Sequence, residues 1–163
     1  MFDFFFYGTL VDADIRRLVL GRDIPDDALI SANLSGYCRY AVQGRPYPAA
    51  VQQAGASIDG VIMPCVGLRD AGILSCFEGA DYEAQLCRVT VPADDVSERG
   101  AWVFVASNRV PRAETTWSIN DWRAKHKPEF IQIAQSWLDA VSADDLSAAE
   151  RLWRERLDPP EPR

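Results

Sequence analysis

The sequence predicts an α+β fold, and three observations carry that expectation. Strand-like segments follow one another through the first two thirds of the chain. Only two short helical patterns interrupt them. The last third is helical throughout, with tryptophans at helical spacing. Runs of strands followed by runs of helices pack as a sheet with helices gathered beside it, not as alternating βαβ units. The length of 163 residues suits one domain, and a 48% hydrophobic content gives it material for a core.

The elements follow in order. Phe2 to Leu10, FDFFFYGTL, is a strand running into a glycine turn. Phe2, Phe4, Phe5 and Phe6 supply apolar side chains to both faces, as a strand buried on both sides requires. Leu10, Ile15, Leu18 and Val19 have helical spacing, and Gly21 can stop that helix. Asp23 to Asp27 reads as a loop. Ala28 to Val42 reads as a strand, bent or bulged at Gly36. An irregular stretch with Gly44, Pro46 and Pro48 leads to a strand over Ala49 to Gln52 and another over Ser57 to Val66. Pro64 inside the latter suggests a sheet edge or a bulge. Leu68 to Phe77 is a short helix stopped at Gly79. Strands over Tyr82 to Val91 and Ala101 to Ala106 flank a charged turn, DDVSERG.

Trp117 to Val141 is helical, with anchors at Trp117, Trp122, Phe130 and Trp137. Ser118 followed by Asp121 resembles a capping box, and Pro128 divides the region at the first turn of a second helix. Ser142 to Leu157 gives a third, amphipathic helix, and the tail DPPEPR is expected to be disordered. The expected organisation is a strand-rich domain over residues 1–116, a helical extension packed on it over 117–157, and the tail over 158–163. The tryptophans are expected to pack that extension onto the sheet.

Charge and composition narrow the partners. A net charge of −7 argues against a nucleic-acid or anionic-membrane surface and leaves a small polar substrate compatible. Cys38, Cys65, Cys76 and Cys87 are widely spaced with no C-x-x-C pair, and His126 is the single histidine. A metal is not expected. Met1 runs straight into the first strand and Asp3 interrupts any signal-peptide core, so a reduced, cytoplasmic setting is expected, with the cysteines as small core residues.

Two stretches could carry chemistry. Gly8 permits a close backbone approach, and the N–H groups after it can point at a bound anion. Glu78 closes a short apolar helix directly before Gly79. The helix dipole disfavours its charge there, and Leu74 and Phe77 would desolvate it. Both effects raise its pKa toward the range of a general base acting on an amine near neutral pH. On residues alone, a purely structural turn and a solvated surface glutamate are the expected readings. Asp81 and Glu83 are expected to face water. His126 sits in the basic stretch WRAKHKP, away from any nucleophile motif. Arg39, Arg45 and Arg88 could each bind a carboxylate, and the sequence does not choose among them.

Taken together, the motifs resemble the γ-glutamylcyclotransferase-like superfamily, including its AIG2-like branch. YGTL after an aromatic strand resembles its signature loop. NLSGYCRYAVQGRPYPAA is similar to its second motif, ending in Tyr47-Pro48. DGVIMPCV, LSCFEG, VTV and AWVFVA resemble its later strands and its glutamate element. The resemblance covers about residues 2 to 107. Ser75 stands where the family has Asp before the glutamate element, and Ala84 where one alignment places an arginine.

The resemblance implies a small mixed β-barrel with surrounding helices and the C-terminal helical extension. It implies a cofactor-independent acyltransferase or cyclase that converts a γ-glutamyl compound to 5-oxoproline and releases an amine or amino acid. Glu78 takes the catalytic position. Tyr7, Gly8, Thr9 and Leu10 take the substrate-binding positions. Two rival readings stay open. One is a barrel that binds a small carboxylate or γ-glutamyl ligand without turning it over. The other is an interaction domain built on the Trp-rich helices.

Overall fold

The structure, a computed structural model, describes residues 1–92 and 97–157. Among the described residues there are six strands: β1 (Phe2–Phe6), β2 (Ile30–Val42), β3 (Pro48–Val66), β4 (Tyr82–Val91), β5 (Ser97–Ala106) and β6 (Arg112–Thr116). Five α-helices accompany them: α1 (Ala13–Leu20), α2 (Leu68–Glu78), α3 (Ile119–Lys125), α4 (Lys127–Ala140) and α5 (Ala143–Glu155). The strand order is β3-β1-β5-β4-β2-β6, and a further pairing of β3 with β2 closes five strands into a ring. Of these pairings β1–β5 is parallel and the rest are antiparallel, so the ring is the mixed barrel expected.

β1 explains why the chain begins with so many aromatics. Its residues alternate across the barrel wall. Phe5 and Tyr7 join Ala32, Leu34, Ile62, Val89 and Val103 in a core inside the ring. Phe2, Phe4 and Phe6 join the core between the ring and the helices. Trp153 packs α5 onto the sheet, its ring 5.0 Å from each of Phe2, Phe4 and Trp102, while Trp122 joins α3 to α4, 5.5 Å from Phe130. Gly72 lets α2 and α5 approach closely, because a Cβ there would stand 3.1 Å from the Glu150 backbone nitrogen.

Several expectations need correction. The two strands read over 49–52 and 57–66 are one, β3, which pairs with β2 along most of its length, to Ile62, and with β1 from Val61 to Val66. Small residues between the two apolar blocks hide that continuity. The pairing bends where Gly36 and Gly55 take positive φ, which agrees with a bulge at Gly36. β6 was not expected, because RAETT is short, polar and mostly exposed. β5 begins at Ser97, so the second half of the charged turn is strand. The first half, and the 158–163 tail, lie outside the described residues. No described cysteine is fully buried, and Cys65 is exposed. Cys65 sits with φ 59 beside Pro64, where the β1–β3 register shifts, so the expected irregularity is there. Pro128 lies in the first turn of α4. Ser118 caps α3 through the Asp121 N–H, but the reciprocal box forms at Ser142 and Asp145.

Candidate functional site

The loop after β1 enters a 3-10 turn at Thr9–Val11. The first hydrogen bond of that turn runs from the Val11 N–H to the Gly8 carbonyl, at 3.0 Å. The N–H groups of Gly8, Thr9 and Leu10 precede it and have no acceptor within the turn. Gly8 packs against Pro48, where a Cβ would stand 3.0 Å from the Pro48 Cγ. The need for glycine is therefore close approach, not an unusual φ.

Buried groups fix this loop. Arg16, fully buried, donates to the carbonyls of Leu10 at 3.1 Å, Val11 at 2.6 Å and Ile24 at 3.1 Å. Asp12 caps α1 through the Asp14 N–H and accepts from Arg123 Nε at 2.9 Å and Lys127 Nζ at 3.0 Å. Although burial opposes its charge, the hydrogen bonds from Arg123 and Lys127 hold the Asp12 carboxyl below its usual range.

The loop forms one side of a cavity of about 310 Å³. That volume suits a small substrate. Tyr7, Gly8, Thr9 and Leu10 all line it, and so does Glu78, the last residue of α2. The structure thus brings the five sequence-predicted site residues together. Burial in the cavity wall pushes the Glu78 carboxyl from 4.5 up to about 7. Leu74 is fully buried and Phe77 lines the cavity beside it. The Tyr7 hydroxyl donates to the Phe104 carbonyl at 2.6 Å and accepts from the Ala50 N–H at 3.2 Å. Burial first, and the neighbouring Glu78 charge second, hold its phenol far above the usual value. With its hydroxyl committed, Tyr7 acts as a wall.

Sequence reasoning missed much of the lining. Phe5, Phe6, Pro46, Tyr47, Pro48, Tyr82, Phe104, Phe130, Ile133 and Trp137 complete it, and Arg45 stands at its exposed edge. Tyr82 donates to the Pro48 carbonyl at 2.9 Å, bracing the residue on which Gly8 packs. The Tyr47-Pro48 pair and the helical anchors Phe130 and Trp137 were visible in the sequence, but nothing there aimed them at Glu78, and Ile133 was not singled out.

The structure also separates the three arginines. Arg45 lines the cavity. Arg39 donates to the Tyr7 carbonyl at 2.8 Å and lies over Trp117. Arg88 pairs with Glu98 on the surface. Ser75 lines a second, smaller cavity and accepts from Trp153 Nε1 at 2.6 Å. Ser75 thus belongs to the α2–α5 contact and not to the lining around Glu78. Asp81, Glu83 and His126 are exposed. Among the described residues, no cluster of three His, Cys, Asp or Glu is placed to hold a metal ion, and no helix is long and apolar enough to cross a membrane.

A closed mixed barrel with a desolvated carboxyl beside a glycine loop defines a small-molecule site with acid–base capacity. The chain belongs to the gamma-glutamyl cyclotransferase, AIG2-like family, whose model matches residues 4–124. It is 27% identical to AIG2-like protein D of Arabidopsis thaliana over 144 residues, which is 87% of this chain and 92% of that protein. It is 31% identical to AIG2-like protein A of the same plant over 135 residues, 78% of this chain and 76% of the relative. A solution structure of another Arabidopsis thaliana protein aligns with TM-score 0.62 at 24% identity, covering 88% of this chain and 89% of that one. A gamma-glutamyl cyclotransferase structure aligns with TM-score 0.53 at 13% identity, covering 92% and 98%. At these identities the structural likenesses show the shared fold. Family membership supports a gamma-glutamyl cyclotransferase-like function acting on a small molecule.

Proposed function

We propose that this protein cyclises a γ-glutamyl compound to 5-oxoproline and releases the attached amine or amino acid. One observation supports the reading above others: Glu78 and the Gly8–Leu10 loop line the same cavity. The substrate's α-amine attacks its own γ-carbonyl carbon. A new C–N bond forms, and the bond from that carbon to the leaving nitrogen breaks. Holding the glutamyl chain folded supplies much of the acceleration as orientation.

The α-amine enters mostly protonated. Glu78, poised near neutrality, takes the first proton, which passes to solvent; once the C–N bond has formed it takes the second from the now cationic attacking nitrogen and delivers it to the leaving nitrogen, which departs as the amine. The backbone N–H groups of Gly8, Thr9 and Leu10 hold the α-carboxylate or the developing oxyanion, and Tyr7 walls the reacting half. The reaction as written calls on no enzyme nucleophile. A Glu78→Gln variant, assayed for 5-oxoproline release from a panel of γ-glutamyl compounds, is expected to lose at least about 100-fold in rate. Unchanged release would remove Glu78 from the mechanism.

A further inference from the structure

We infer that the leaving half of the substrate is an amino acid with an apolar side chain, seated against Ile133 and Trp137 with its free carboxylate at Arg45. This rests on the γ-glutamyl reading above and assigns the half of the substrate which that reading leaves open.

The cavity has two unlike ends. Tyr7 and Thr9 are buried, and the half-buried Gly8 and Glu78 stand with them at one end. Arg45 and Ile133 are exposed and mark the mouth, with the half-buried Trp137 one turn along α4 from Ile133. The glutamyl half is a carboxylate, an amine and two methylenes. Its polar groups are served by the loop and Glu78, and its methylenes require no aromatic wall. The apolar surface of α4 therefore falls to the leaving half.

That surface is held ready. Phe130, Ile133 and Trp137 fall on one stripe of α4. Phe130 is buried against Trp122 and Tyr47, and Trp137 is fixed edge-on to Phe77 at 5.1 Å. Ile133, by contrast, leaves 42% of its surface exposed at the cavity rim. An apolar side chain entering there buries surface without reordering the wall.

Arg45 decides between an amine and an amino acid. It sits in the β2–β3 turn, where its N–H donates to the Val42 carbonyl at 3.2 Å. Among the described residues, no carboxylate lies within ion-pair range of its guanidinium. A leaving group bearing its own carboxylate gains a charge-assisted contact there. A leaving group that carries a second cation is repelled.

The test compares kcat/KM for γ-glutamyl-phenylalanine, γ-glutamyl-leucine, γ-glutamylglycine and γ-glutamyl-phenethylamide, the last being the phenylalanine conjugate without its carboxylate. The phenylalanine and leucine conjugates should exceed the glycine conjugate by roughly ten- to a hundredfold. The phenethylamide should fall about tenfold below the phenylalanine conjugate, and Arg45→Gln should remove most of that difference. Trp137→Leu, with its folding checked by a thermal melt, should shrink the phenylalanine-to-glycine ratio, chiefly through KM.

Equal turnover of the glycine and phenylalanine conjugates, or of the acid and the amide, overturns the inference while leaving the reaction standing. Release of 5-oxoproline from none of them refutes the reaction instead. Calorimetry with the phenylalanine and glycine conjugates then judges the apolar seat separately, since equal affinities overturn it.

Discussion

Replacing Glu78 by Gln should stabilise the fold, and the gain should depend on pH. The native carboxyl titrates at about 7, against an ordinary 4.5. The folded state therefore binds a proton more tightly than the unfolded state does. Below 4.5 the carboxyl is protonated in both states and carries no penalty. As the pH rises from 4.5 to 7, the unfolded chain releases its proton while the folded chain retains it. Stability falls across that window and levels off above it. Two and a half pH units at about 1.4 kcal/mol each amount to about 3 kcal/mol.

Glutamine has the same shape and no such titration. Its own desolvation cost is constant with pH and cancels when the gap between variant and wild type is compared at two pH values. That gap should widen by about 3 kcal/mol between pH 4.5 and pH 7.5, or roughly 6–12 °C in Tm for a chain of this size. Paired thermal melts at half-unit steps measure it, and every other carboxylate shifts equally in both proteins. A gap that stays flat from pH 4.5 to 7.5 would show that Glu78 ionises like a solvated glutamate, and the argument for a base poised near neutrality would fail with it.

Other outcomes follow from the same geometry. The kcat/KM for 5-oxoproline release should rise about tenfold per unit at low pH and bend near 7, where Glu78 becomes ionised in the free enzyme; an acid limb bending near 4.5 would contradict that role. Asp12→Ala removes an N-cap and the buried partner of Arg123 and Lys127, whose half-exposure moderates the loss, so about 2–3 kcal/mol of stability should go in urea titrations near pH 7. Since the native Asp12 carboxyl lies below its usual 3.8, that deficit should be full above this value and close as the pH falls below it. Ser75→Ala strands the Trp153 N–H and should cost about 1–2 kcal/mol by the same method, while kcat/KM stays within about twofold, because Ser75 is not in the Glu78 cavity.

Much of this fold was legible in the chain because local and global signals agreed. FDFFFY is apolar on both faces, and both faces are buried, one inside the barrel and one under the helices. Glu78 could be placed at a helix end because Gly79 follows an apolar helical run, and Gly79 does end α2. What escaped depends on distance along the chain. Ring closure needs β1 beside β5 and β2 beside β3, and no local pattern encodes which strands meet. β6 has neither alternation nor bulk, since its pairing with β2 leaves it exposed. The aromatic stripe of α4 was legible as apolar. Whether an apolar residue fills a core or lines a cavity turns on the void beside it, and Phe130 does both while Trp137 faces the mouth.

The C-terminal helices bear on the site through the same loop that opens it. Asp12 follows directly on the Gly8–Val11 turn, and its carboxylate is held by Arg123 of α3 and Lys127 of α4. Three residues beyond Lys127, Phe130 begins the stripe that lines the cavity. From the other side, Arg16 draws the Leu10 and Val11 carbonyls inward and so keeps their peptides from turning over. The loop N–H groups and the apolar wall are thus tied to one buried carboxylate, and neither can shift without disturbing it. Donors fixed in this way need little reorganisation when charge develops beside them. Loss of the Asp12 contacts should therefore lower kcat in folded protein, at a temperature well below its melt. A kcat equal to wild type there would show that the loop keeps its geometry without the helices.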